Sequence, residues 1–131
     1  MSHALHRPIR RLPSLLTLAA ALVLTACSPS PPPAPTAADQ ARAEQLRPAN
    51  AQLSEKYERS CMVCHTQLAA NAPLTGFGPA WQPVLKQGMD TLLLHAEQGI
   101  RSMPPRGQCA DCSAEELRSL IEFMAQDASQ P

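Results

Sequence analysis

Large rings are scarce in this chain: among 131 residues there are two Phe, one Tyr and one Trp. A domain of modest size with so few aromatics has little from which to build an apolar core. Charge of one sign is also lacking, since 11 basic residues stand against 11 acidic ones. No basic run is suited to holding nucleic acid phosphates, which excludes that class of partner. Strict alternation of apolar and polar residues is missing too, which argues against strands and for an all-α fold. The one long apolar run, residues 15–24, is too short to be a comfortable membrane span. The folded part, from about residue 51 to about residue 126, buries too little apolar surface to be secure alone. Domains of this size usually carry a staple: a metal, a disulfide or a cofactor.

Proline and cysteine are present in force, and both carry meaning. Arg7, Arg10 and Arg11 precede the apolar run, as in an export signal. That run ends in Leu24-Thr25-Ala26-Cys27, which resembles the lipobox of bacterial lipoproteins. Residues 1–26 then form a leader, and Cys27 becomes the lipidated first residue. The alternatives are an ordinary signal peptide cut at Thr25 and Ala26, which leaves Cys27 as a free thiol, or a retained single-span anchor. Losing the leader removes three arginines, so eight basic residues face eleven acidic ones and the mature chain is mildly acidic. Residues 27–50 open with a proline-rich stretch that cannot form a core and runs as a stiff tether. At about 3.1 Å per residue it spans roughly 30 Å. Residues 37–50 either lengthen this tether or form a polar helix, and residues 51–131 hold the domain.

The five cysteines divide without remainder. Cys61-Met62-Val63-Cys64-His65 is C-x-x-C-H, the attachment pattern for a c-type haem. Two intervening residues in a helical turn set the thiols about one vinyl-to-vinyl span apart, and the next residue brings an imidazole beneath the iron. Cys109 and Cys112 remain as a pair that an oxidising periplasm could close. A zinc site from two C-x-x-C knuckles is disfavoured by the 44 residues between Cys64 and Cys109. A thioredoxin-like role for Cys61 and Cys64 lacks the βαβ pattern around it.

Helical periodicity marks four segments: residues 53–64, 79–87 (broken by Pro83), 89–98 (stopped by Gly99) and a last helix capped by Ser113. In the last, Ser113 and Glu116 form a capping box and Leu117, Leu120, Ile121 and Met124 line one stripe. Haem iron held by one histidine needs a partner, or an open position, on its other face. Met103 is the candidate, in a loop where Pro104 and Pro105 restrict the backbone. Met62 lies in the attachment loop, Met89 begins a helix and Met124 belongs to the core stripe. His95, on the third helix, is the rival ligand, although a lone histidine on a polar face is usually just solvated.

From Tyr57 to Met124 the chain resembles the cytochrome c5 group of class I c-type cytochromes. The resemblance rests on Cys61 to His65, Asn71-Ala72-Pro73, Trp81, Gln87-Gly88-Met89-Asp90-Thr91-Leu92-Leu93, Met103-Pro104-Pro105-Arg106-Gly107 and the Cys109-x-x-Cys112 pair. It implies about four helices around one covalent haem, with Cys61 and Cys64 as anchors, His65 and Met103 as axial ligands, and a disulfide between Cys109 and Cys112. It also implies that the carbonyl of Pro73, with Pro79 as rival, accepts from the inner nitrogen of His65. Trp81 would pack near a haem propionate and donate its indole N–H, with a plain core role as the alternative, and Tyr57 and Phe123 would pair where the first and last helices cross. The expectation is a periplasmic electron carrier, lipid-anchored and not an enzyme. It would exchange electrons with an oxidase, a reductase or another cytochrome near Met62, Met89 and the Pro104-Pro105 turn. A small haem enzyme or gas sensor with a labile Met103 is the alternative. Ser28, in place of the aspartate associated with inner-membrane retention in enteric bacteria, favours the outer membrane.

Overall fold

The structure, a computed structural model, describes residues 31–128; Cys27, the leader and the first residues of the tether lie outside them. The helices are α1 (Ala37–Ala43), α2 (Ala51–Arg59), α3 (Met62–His65), α4 (Gly78–Leu85), α5 (Met89–Gln98) and α6 (Ala114–Met124). Short 3-10 turns lie at Leu68–Ala70 and Pro105–Gln108. No strand occurs among the described residues; an isolated bridge joins Ile100 and Met103.

Helix ends follow local chemistry. At α6, the Ser113 hydroxyl accepts from the Glu116 amide at 3.2 Å and the Glu116 carboxylate accepts from the Ser113 amide at 2.8 Å. Two of the amides left open at a helix start are thus satisfied. Helix α5 runs between Gly88 and Gly99, the latter at φ 82°. A Cβ on Gly99 would lie 2.8 Å from the Met103 carbonyl oxygen, so only glycine lets the chain turn so closely into the methionine loop. Pro79 sits in the first turn of α4, where its missing N–H costs nothing, and α4 ends at Leu85, two residues short of the expected limit.

Two expectations need correction. The segment 53–64 is not one helix: α2 stops at Arg59 and α3 begins at Met62. At the break Ser60 takes φ −130°, ψ −80°, while its hydroxyl donates back to the Lys56 carbonyl, a bond that competes with the helical ladder. The packed region also begins before residue 51. Thr36 and Asp39 form a capping box on α1, Ala43 is fully buried, and Arg47 donates to Glu58 on α2 at 2.8 Å. Residues 37–50 are therefore part of the packed body and do not lengthen the tether.

The main core joins Tyr57 of α2, Leu92 and Ala96 of α5, and Leu117, Leu120, Ile121 and Met124 of α6, together with Cys61, Trp81, Cys109 and Cys112. Tyr57 and Phe123 meet edge to face, centroids 5.1 Å apart at 81°, where α2 crosses α6. A smaller cluster of Ala43, Leu74 and Phe77 lies beneath α1.

Candidate functional site

The C-x-x-C-H segment is one tight turn. The amides of Cys64 and His65 both donate to the Cys61 carbonyl, at 3.3 and 3.0 Å. Cys61 is buried and Cys64 exposed, and both are free thiols. Burial raises the Cys61 thiol above its ordinary pKa, so the buried sulfur stays protonated at neutral pH.

His65 closes this turn and is 8% exposed. Its Nδ1 lies 2.8 Å from the Pro73 carbonyl oxygen, which decides between Pro73 and Pro79. A carbonyl can only accept, so Nδ1 carries the proton and donates. Burial pushes the imidazole below its usual pKa, and the Pro73 bond offsets this only in part, so the ring is neutral with its lone pair on Nε2. Nε2 has no protein partner among the described residues, yet no buried side-chain nitrogen or oxygen there lacks one, so Nε2 opens into free space. The backbone of His65 is held as well: its carbonyl accepts from the Thr75 amide at 2.7 Å, and the Thr75 hydroxyl accepts from Tyr57 at 3.0 Å.

That free space is a cavity of about 230 Å³ whose wall includes His65, Pro73, Trp81, Leu92, Ile121 and Met103. Met103 reaches it from the turn after α5. The turn is pinned by reciprocal backbone bonds between Ile100 and Met103, at 3.0 and 2.9 Å, and by the extended backbone of Pro104. The methionine methyl passes close to Gly107, where a Cβ would come within 3.3 Å of it. Mostly apolar walls, a neutral imidazole nitrogen and a thioether form a donor set that fits haem iron. Cys61 and Cys64 do not line the wall; they lie on the turn that leads into it.

Trp81 belongs to the main core and lines the cavity. Its ring stacks on His65, with centroids 5.7 Å apart and planes at 23°, and its indole N–H donates to the Leu74 carbonyl at 2.9 Å. A buried indole N–H needs an acceptor, and the loop backbone supplies it. His95, set aside as solvated, also lines the cavity. Its neighbours Leu92 and Ala96 on the buried face of α5 were the available signal.

Cys109 and Cys112 are bonded to each other, Cα atoms 5.4 Å apart, which takes both thiols out of any two-knuckle zinc arrangement. The loop is bound to α2 by Arg59 Nη2, which donates to both Asp111 carboxylate oxygens at 2.6 and 2.8 Å, and Lys56 ties α2 to Glu116 of α6 at 2.6 Å. Arg106 donates to the Cys112 carbonyl from the other side.

A helical body folded over a C-x-x-C-H turn, with an imidazole and a thioether on one cavity, defines a small all-α c-type cytochrome. The family model described as cytochrome c oxidase, cbb3-type, subunit III, matches residues 48–124. Cytochrome c5 of Azotobacter vinelandii is 42% identical over 67 residues, 50% of this chain and 81% of that protein. Cytochrome c5 of Ectopseudomonas mendocina is 41% identical over 69 residues, 51% of this chain and 79% of that protein. A solved structure described as an electron transfer complex of nitrite reductase with cytochrome c matches with a TM-score of 0.50. It is 41% identical and covers 62% of this chain and 95% of that one. The chain belongs to the cytochrome c5 family and is a haem-binding electron-transfer protein with covalent haem c and its iron.

Proposed function

We propose that the protein is a one-haem electron carrier with its haem in the cavity between His65 and Met103, anchored through Cys61 and Cys64. The carrying observation is that His65, with Nδ1 tied to Pro73 and Nε2 free, shares one cavity with Met103. Bound haem supplies a ferrous-ferric couple that exchanges one electron at a time. The Pro73 carbonyl fixes the ring and its tautomer and raises the basicity of Nε2. The Ile100–Met103 bonds and the prolines hold the thioether in one place, so oxidation state changes with little movement of either ligand. Thioether ligation favours the ferrous state and raises the potential relative to two histidines.

No substrate is transformed; electrons pass to and from redox proteins such as a reductase, a partner class suggested by the nitrite reductase in the similar solved complex. Docking takes place near Met62, Met89 and Pro104-Pro105. The protein is attached by lipid at Cys27 to a membrane facing the periplasm, the outer membrane by the Ser28 criterion. Its tether ends where α1 begins, giving a reach of roughly 30 Å.

The test is optical. Oxidised protein has the weak sulfur-to-iron charge-transfer band at the red end of the visible spectrum, and Met103→Ala abolishes it. A band unchanged by that substitution removes Met103 as ligand. Fast, tight carbon monoxide binding by the untreated ferrous protein supports the open-site sensor or enzyme instead.

A further inference from the structure

The helix that precedes the region matched by the family model touches the same loop that holds His65. Helix α1 ends at Ala43, and the match begins at residue 48. Gln40 of α1 accepts from the Leu68 amide through Oε1 at 3.0 Å. Glu44, which caps α1, accepts from the Gln67 side chain at 3.3 Å and from Gln40 Nε2 at 3.0 Å. Ala43 is fully buried against Leu74 and Phe77. Gln40 and Glu44 thus hold one end of the loop 67–77, and Ala43 covers the other.

Within the loop, two contacts reach the proposed proximal ligand directly and a third reaches it through Trp81. The Pro73 carbonyl accepts from His65 Nδ1. The Leu74 carbonyl accepts from Trp81, whose ring stacks on His65. The Thr75 amide donates to the His65 carbonyl. A backbone acceptor is only as well placed as the loop that carries it, and this loop has little regular structure: one 3-10 turn, then Asn71 at φ 52°. Its shape depends on what is packed against it.

We propose that Gln40 and Glu44 are positioning residues for His65, acting through the loop 67–77, and that α1 thereby sets the strength of the Pro73 bond to the axial imidazole. This rests on the reading of His65 as an iron ligand. A strong bond makes Nε2 a better donor and stabilises ferric iron. Releasing the loop weakens it, so the potential rises.

The experiment uses full-length holoprotein. Gln40→Ala and Glu44→Ala each shift the ferrous-to-ferric equilibrium toward ferrous by about threefold, as befits weakening and not losing one hydrogen bond. Amide exchange at Leu68 quickens in Gln40→Ala. Glu44→Gln keeps an acceptor oxygen for Gln67 and retains the wild-type potential, which a purely structural account of the charge does not require. An unshifted potential in Gln40→Ala alongside faster exchange at Leu68 overturns the proposal, as does exchange at Leu68 that the substitution leaves unchanged. The sulfur-to-iron band of the wild type reports separately on the ligands. Its absence, or its persistence in Met103→Ala, faults the reading of the iron site and not the role of α1.

Discussion

His65 and Trp81 each commit one polar group to the protein backbone and keep another part of the ring for the site. His65 gives Nδ1 to Pro73 and keeps Nε2. Trp81 gives its N–H to Leu74 and keeps its ring face for His65. Trp81→Phe therefore separates the two functions. The ring stays, the Leu74 carbonyl loses a buried donor, and stability falls by about 1–3 kcal/mol, read from the denaturant midpoint. The sulfur-to-iron band is unaffected. An unchanged midpoint would mean that water replaces the indole at Leu74. Spacing and flanking prolines marked His65 and Met103, which the fold brings to one cavity, while Pro73 was only what the resemblance implied, with Pro79 as rival. The indole's acceptor was not legible, since a backbone carbonyl has no sequence signature and only the folded loop brings it to the ring.

Among the elements, those closed by their own side chains were readable and those shaped by distant contacts were not. Helix α6 was readable because Ser113 and Glu116 cap it locally, and α5 because Gly88 and Gly99 bound it. The break at Ser60 was hidden, since Leu53, Tyr57 and Cys61 keep helical spacing across it. A polar helix was one of two readings for residues 37–50, but the packing of α1 was hidden because its burial rests on one alanine whose neighbours lie some thirty residues away. The tie between α2 and the disulfide loop is of the same long-range kind. Arg59 holds the Asp111 carboxyl below its ordinary pKa of 3.8, and Lys56 does the same to Glu116, ordinarily 4.5. Asp111 is exposed and Glu116 half-buried at the surface, so the contribution is modest and screened by salt. Their folded pKa values are depressed, so the stabilisation is complete above the ordinary values and is lost as pH falls from there through the lower folded ones. Asp111→Asn should lower the melting temperature slightly at pH 7 and in low salt. The gap from wild type should close as pH falls below about 4. A gap that stays constant down to pH 2 would show that the Arg59 pair contributes nothing.

For the molecule as a whole, the scarcity of aromatics and the cavity are one fact seen twice. The wall of the cavity is built from the core itself: Trp81, Leu92, Ala96, Ile121 and Met124 belong both to the main cluster and to the lining. That cavity, about 230 Å³ and partly open to solvent, leaves these apolar walls uncovered by the chain's own side chains. Small domains are stable by only about 5–15 kcal/mol in total, so an apolar group that covers these walls adds to a narrow balance. The disulfide cannot make up the difference, because it closes a loop of only four residues and constrains the unfolded chain little. Cys61→Ser with Cys64→Ser, made without haem, should therefore lose its cooperative thermal transition and its near-ultraviolet circular dichroism while keeping part of its helical signal. α6, which is capped locally, should contribute most to that remainder. A sharp transition in the haem-free chain, with near-ultraviolet signal intact, would mean that the walls collapse into a closed core of their own and that the haem is cargo on a self-sufficient fold.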